Sequence, residues 1–202
     1  MKIKTIIFFG SLFFLFACNK EKIKFVQNRI IDDSLTAEGY MKDSLNIGYW
    51  KYYDSDKNLV AISEYLIIDN RGYLNQEVVF DKKGDTLFDK SNFFTCKTDK
   101  LNNDSLYLEI KYEGIIDAIY NDSESYPILV YHNDINDDFT NINMLKLDTL
   151  FFKKNKLNMS IPNNKKIRGV IKEIIFLEEG GMQIRDVYFD YGSDYQDISE
   201  IK

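Results

Sequence analysis

The chain has 202 residues, 45% apolar and 15% aromatic, with 26 Lys+Arg against 32 Asp+Glu and a formal net charge of −6. That apolar share excludes a disordered chain, and the acidic balance excludes a phosphate-tracking surface, so no nucleic-acid partner is expected. A single histidine, two prolines and two cysteines exclude a His-rich metal site, a Pro-rich spacer and a disulfide scaffold.

Residues 1–17 read as a signal peptide. Lys2 and Lys4 form a positive start, and the apolar run over 6–16 is too short to span a bilayer as a helix, which needs roughly 20 residues. Leu15-Phe16-Ala17-Cys18 then resembles the lipobox of bacterial lipoproteins. The resemblance implies cleavage before Cys18, diacylation of its thiol with palmitate-type chains and acylation of the new N-terminus. It therefore implies a cell-envelope protein whose partner is a membrane, reached through the lipid anchor. Three acyl chains, at about 0.8 kcal/mol per buried CH₂, hold a protein that one chain does not. Asn19-Lys20-Glu21-Lys22 opens a tether and lead-in segment, residues 18–37. Lys20-Glu21 is half of the export signal carried by some Bacteroidetes-type lipoproteins. The implied outer-membrane anchor thus leaves the periplasmic and surface faces both open.

No window shows a capped helical stripe, and β-rich runs recur instead at 47–53, 59–68, 73–80, 106–112, 127–132, 146–152, 167–177 and 182–191. Clusters such as Asp54-Ser55-Asp56-Lys57-Asn58 and Asp81-Lys82-Lys83-Gly84-Asp85 separate them as turns. The expectation is an all-β protein. Within residues 38–97 the pattern repeats: Phe80 to Leu87 lines up with Tyr53 to Val60, an offset of 27 residues. Gly48-Tyr49-Trp50-Lys51-Tyr52-Tyr53, with its following turn and second strand, resembles the degenerate MORN-type repeat of bacterial envelope proteins. The resemblance implies stacked hairpins that share an aromatic face and carry no catalytic residues. Trp50 and Tyr53 would be the packing knobs, and the second copy has Glu77 where Trp50 stands in the first.

Residues 98–192 read as an immunoglobulin-like β-sandwich without the disulfide or core tryptophan of antibody domains. Leu106 to Tyr112 alternates apolar and polar, and the 167–176 and 182–191 runs flank the hairpin signal Glu179-Gly180-Gly181. Residues 193–202 read as a frayed acidic tail. Cys96, the remaining thiol once Cys18 is acylated, sits in Phe93-Phe94-Thr95-Cys96 and is expected to be buried and inert.

Candidate chemistry is sparse. Asp54, Asp56 and Asn58 match the start of an EF-hand calcium loop, but Leu59 replaces its glycine and Tyr65 its bidentate glutamate. Asp134, Asn136 and Asp138 form a better oxygen cluster for a structural Ca²⁺; the plain alternative is a solvated loop, and no other cofactor is expected. His132 has Asp134 two residues on but no nucleophile elbow. Asp-Ser/Thr-Leu recurs five times, with hydroxyls at Ser34, Ser44, Thr86, Ser105 and Thr149. It is similar to the O-glycosylation acceptor motif of exported Bacteroidetes proteins, and it is also what a turn feeding a strand contains.

The sequence thus points to a non-enzymatic envelope lipoprotein used for binding or assembly, its protein or glycan partner unidentified. Tyr49, Trp50, Tyr52 and Tyr53 are the expected contact surface, since interface hot spots favour Tyr and Trp. Packing between hairpins is their other reading, and alternation puts Trp50 and Tyr52 on one face. An immunity or antitoxin-like inhibitor, whose acidic surface masks a basic toxin, is the second hypothesis. An envelope hydrolase with paired carboxylates is the third.

Overall fold

The computed structural model describes residues 22–100, 104–114, 125–162, 166–176, 181–191 and 198. Among them the chain is all-β: twelve strands and two short 3-10 turns, Phe88–Lys90 and Ile142–Met144. The first five strands form one antiparallel meander in the order β1-β2-β3-β4-β5. These are β1 (Ile23–Ile30), β2 (Thr36–Lys42), β3 (Leu45–Tyr53), β4 (Leu59–Ile68) and β5 (Arg71–Val79). Asp43-Ser44 joins β2 to β3 and Asp69-Asn70 joins β4 to β5, with φ positive at all four residues. That pairing of positive φ angles defines the type I′ turn, whose twist matches the flanking strands.

The other seven strands form two facing sheets. One has the order β10-β7-β6, from β6 (Phe93–Lys100), β7 (Ser105–Glu113) and β10 (Lys156–Pro162). The second has the order β12-β11-β8-β9, from β8 (Ser125–His132), β9 (Asp148–Phe151), β11 (Ile167–Phe176) and β12 (Met182–Tyr191). Their inner faces interdigitate in one core that includes Phe94, Leu108, Ile110, Leu129, Leu157, Ile161, Ile171, Val187 and Phe189. The predicted final hairpin pairs in register from Ile167↔Tyr191 to Phe176↔Met182.

Three expectations from the sequence need correcting. The lead-in segment contains β1, which pairs with β2 from Ile23↔Lys42 to Ile30↔Thr36. A bulge between Val26 and Arg29, with Asn28 at φ 55°, breaks the alternation that would have marked it as a strand. The second unit begins at Phe93 rather than at residue 98, because β6 pairs with β7 along its whole length. Of the expected tail, 193–202, only Ile198 is among the described residues, and it is fully buried with Ile62, Val78, Phe80 and Phe93 rather than frayed.

Phe93 and Phe94 are adjacent, so their side chains leave a strand on opposite faces. Phe93 enters the cluster against the meander, and Phe94 enters the core between the two facing sheets. Just before them, Glu77 of β5 and Asn92 exchange two backbone hydrogen bonds of 2.8 Å. The meander and the two-sheet unit therefore share a continuous hydrogen-bonded and apolar seam.

Candidate functional site

The expected aromatic contact surface is built into the meander. Trp50 has no accessible surface; it packs with Ala37 and Met41, and its indole Nε1 donates to the Tyr40 carbonyl at 2.9 Å. A Cβ on Gly39 would lie 2.5–2.7 Å from the indole ring, so only glycine lets the ring rest on β2. The β1 bulge brings the Arg29 guanidinium over the same ring, 5.7 Å from its centroid. Trp50 is thus a packing residue and offers no face to a partner. Tyr52 shares its side of the sheet, as alternation predicted, and its hydroxyl lies 2.8 Å from that of Tyr65. Burial, reinforced by this neighbour, pushes the Tyr52 phenol well above its ordinary pKa. Tyr49 packs on the opposite face, beside Ile62 and Val78.

Of the four, Tyr53 borders an open cleft. The cleft, about 550 Å³, lies at the end of the meander where the β1–β2 and β3–β4 turns meet. Asp32, Asp33, Glu38, Asp54, Tyr53 and Lys57 line it, so its walls are acidic. Tyr53 donates to Glu38 Oε1 at 2.8 Å, and burial followed by this carboxylate pushes its phenol up to about 12. Asp32 accepts the backbone N–H and the hydroxyl of Ser34, both at 2.8 Å, which holds its carboxyl below the usual range. No sequence pattern singles out Asp32 or Glu38, and Asp33 only opens an Asp-Ser-Leu motif. Their convergence depends on the meander placing two turns side by side, which no local pattern records.

The two aligned turns share the hydrogen bonds that close them. In the first, Asp54 accepts from the Lys57 backbone N–H through its carbonyl and from the Asn58 N–H through its side chain. In the second, Asp81 does the same for Gly84 and Asp85. The EF-hand-like residues Asp54 and Asn58 thus close a hairpin, and the Asn58 amide also donates to Asp54 Oδ2 at 3.0 Å.

The 133–141 loop is likewise closed on itself. Asn136 Nδ2 donates to Thr140 Oγ1 at 2.8 Å, Asp138 Oδ1 accepts that hydroxyl at 2.9 Å, and Asn141 Nδ2 donates to the Asp134 carbonyl. Ile135 and Phe139 anchor it by burial, and Arg168 donates to the Ile135 carbonyl while pairing with Asp137 and Asp190. Among the described residues no three His, Cys, Asp or Glu side chains come together as a metal-holding group. His132 Nδ1 accepts the Asp134 backbone N–H at 3.1 Å, a turn-closing role.

The five Asp-Ser/Thr-Leu hydroxyls all lie in turns or at strand starts. Ser34, Ser44 and Thr149 are exposed; Thr86 and Ser105 are half-buried. Cys96 is half-buried on β6, packed against the core between the facing sheets. Cys18 and the signal segment lie outside the described residues.

A polar cluster fills one end of the two-sheet core, and sequence inspection missed it. Arg185 donates to the Asn92 oxygen at 3.0 and 3.1 Å, the Asn92 amide donates to the Tyr112 hydroxyl at 2.7 Å, and Tyr112 donates to Glu173 at 2.9 Å. Glu173 is 1% exposed, and a Cβ on Gly114 would fall 2.5 Å from its Oε1. The signal for it was Glu173 following Lys172 in a β-branched run, where strict alternation would put one of the two charges on the buried face. No protein-family model matches the chain, and no curated protein matches it.

Proposed function

We propose that the protein is a lipid-anchored lipoprotein of the cell envelope that works by binding rather than by catalysis. The observation that carries this reading is Leu15-Phe16-Ala17-Cys18, standing four residues before the first described residue of a body made only of sheets and turns. In this reading the acylated Cys18 supplies the attachment to the membrane.

The MORN-like reading of the meander draws support from the closing hydrogen bonds shared by the Asp54 and Asp81 turns and from Trp50 as the packed knob of the β3–β4 hairpin. The immunoglobulin-like reading of the second unit draws support from its connectivity. Counting β6 to β12 as strands one to seven, the neighbours run 5-2-1 on one sheet and 7-6-3-4 on the other. This is a seven-strand sandwich in which the fourth strand edges the sheet of the third, sixth and seventh.

The acidic cleft favours one second reading, an inhibitor of a basic protein. Four carboxylates around 550 Å³ suit Lys or Arg side chains from a partner, and charge complementarity would speed the encounter. Two measurements test these readings. Palmitate labelling of the native bacterium should tag the wild type and spare Cys18→Ala, which should also leave the membrane fraction; an unlabelled wild type overturns the anchor. A photo-crosslinker at Ser55, inside the cleft, should capture a basic protein, and capture should fall in Asp32→Asn/Asp33→Asn. Capture that is indifferent to those charges overturns the inhibitor reading.

A further inference from the structure

An edge strand leaves its outer N–H and C=O groups open to pairing unless something blunts it. Most edges here are blunted. β1 carries a bulge together with Lys24 and Arg29. On β5 Glu77 is paired with Asn92, and on β12 both backbone groups of Tyr188 are held by Asn75. β6 carries Lys97 and Asp99, and β9 is only 4 residues long. β10 differs: from Leu157 to Ile161 it reads Leu-Asn-Met-Ser-Ile, with no charge, bulge or proline.

Two contacts fix which way its backbone faces. The Tyr112 N–H donates to the Asn155 carbonyl at 2.9 Å, so Asn155 faces β7. Lys156, the next residue, faces away and exchanges bonds of 2.7 and 3.2 Å with Lys153. The ladder with β7 is regular from Lys156↔Lys111 to Pro162↔Ser105, so this alternation continues along the strand. Leu157, Met159 and Ile161 bond to β7, while Asn158 and Ser160 turn both backbone groups outward. Both are exposed, and no described residue pairs with those groups. Lys153 closes the open stretch at one end, and Pro162, which has no N–H, closes it at the other.

The stretch is symmetric about Met159. Laid antiparallel to its own copy, Asn158 falls opposite Ser160 and Leu157 opposite Ile161. Each Asn158–Ser160 pair then exchanges two N–H···O bonds, and the amide meets the hydroxyl on the outer face. Leu157 and Ile161, 5% and 1% exposed, stay on the core face in both copies. The half-buried Met159 side chains meet at the axis on that same face. No like charges are opposed. A slip of two residues either way brings up Lys156, already paired, or Pro162, so this register alone satisfies Asn158 and Ser160 fully.

We propose that β10 pairs with β10 of a second copy about a two-fold axis at Met159, joining the β10-β7-β6 sheets of two molecules into one. The pairing consumes the edge of each copy, so it closes as a dimer and does not propagate. So short a ladder makes the dimer concentration-dependent rather than obligate.

Sedimentation equilibrium of the chain from residue 18 with Cys18→Ser, up to about 1 mM, should show the mass rising toward that of a dimer. Ser160→Pro removes an outward N–H and leaves the bonds to β7 in place. It should keep the far-UV dichroism of the wild type and weaken association by about tenfold or more. In a Cys18→Ser/Cys96→Ser background, Met159→Cys should form an intermolecular disulfide on oxidation, because facing residues of such a pair have Cα atoms about 4.5 Å apart. Asn158→Cys should not, since its twin lies diagonally, about 7–8 Å away. A mass that stays monomeric overturns the proposal, as does undiminished association in a folded Ser160→Pro or equal cross-linking of the two cysteine variants. Should Ser160→Pro fail to fold, the contrast between Met159→Cys and Asn158→Cys decides alone.

Discussion

The side-chain amide of Asn75 on β5 pairs with the backbone of Tyr188 on β12 as one strand residue pairs with another. Its Nδ2 donates to the Tyr188 carbonyl at 2.9 Å, and its Oδ1 accepts the Tyr188 N–H at 2.7 Å. A single buried amide thus joins the edge strand of the meander to the edge strand of a facing sheet. Tyr73, two residues away, donates to the Asp186 carbonyl and meets the Tyr188 ring edge to face at 5.1 Å.

Asn75→Ala should therefore cost about 2–4 kcal/mol, since it leaves a buried N–H and C=O on Tyr188 without partners. Urea denaturation followed by Trp50 fluorescence and by far-UV dichroism checks it. The wild type should give coincident curves, and the variant should separate them as the meander loosens first. Asn75→Asp should be at least as harmful, because it keeps the acceptor but sets a second carboxylate against Glu64.

Lys57 and Gly84 occupy the same position in two copies of one turn, at φ 64° and 84°. An L side chain pays for that conformation and glycine does not. Lys57→Gly should stabilise by about 0.5–1 kcal/mol, and Gly84→Ala should destabilise by about 1 kcal/mol. Opposite shifts of the thermal midpoint at equivalent positions are the readout.

Gly39→Ala should displace Trp50. With the added methyl 2.5–2.7 Å from the ring, the indole has to leave its bed on β2 and give up its bond to Tyr40. A loss of about 3 kcal/mol is expected, in the range of disrupted core packing. The sole tryptophan makes it visible: emission should move to the red, and iodide, which should not quench the wild type, should gain access.

Glu64 accepts from both Asn75 and Gln76 at 2.7 Å, yet burial outweighs these bonds and, with Asp190 nearby, raises its pKa above the ordinary 4.5. A carboxyl with a raised folded pKa binds more protons folded than unfolded. Its contribution to stability is therefore full in acid and falls as pH rises from about the unfolded value through the folded one. Glu64→Gln should flatten that slope and raise the thermal midpoint at neutral pH. Asp32, Asp54 and Asp138, whose pKa values are lowered, act with the opposite sign below about pH 4, outside this window.

Much of the strand content was readable because alternation and Asp/Asn turns are local signals. The 59–68 and 182–191 runs coincide with β4 and β12, and the 27-residue offset marks two turns with one bonding scheme. β1 was not readable, because its bulge shifts the side chains between Val26 and Arg29 and most of the strand is exposed. The boundary at Phe93 was hidden because two consecutive apolar residues look like one hydrophobic run while serving different cores. The acidic cleft was hidden for a geometric reason: residues 32–38 and 53–57 meet only after two hairpins have formed.

The neighbouring rings of Phe93 and Phe94 also bear on ancestry. A recombination that cut the gene on either side of this dipeptide would leave one half without its plug and the other with an oily stub. Either half expressed alone should therefore leave an aromatic ring uncovered at the cut.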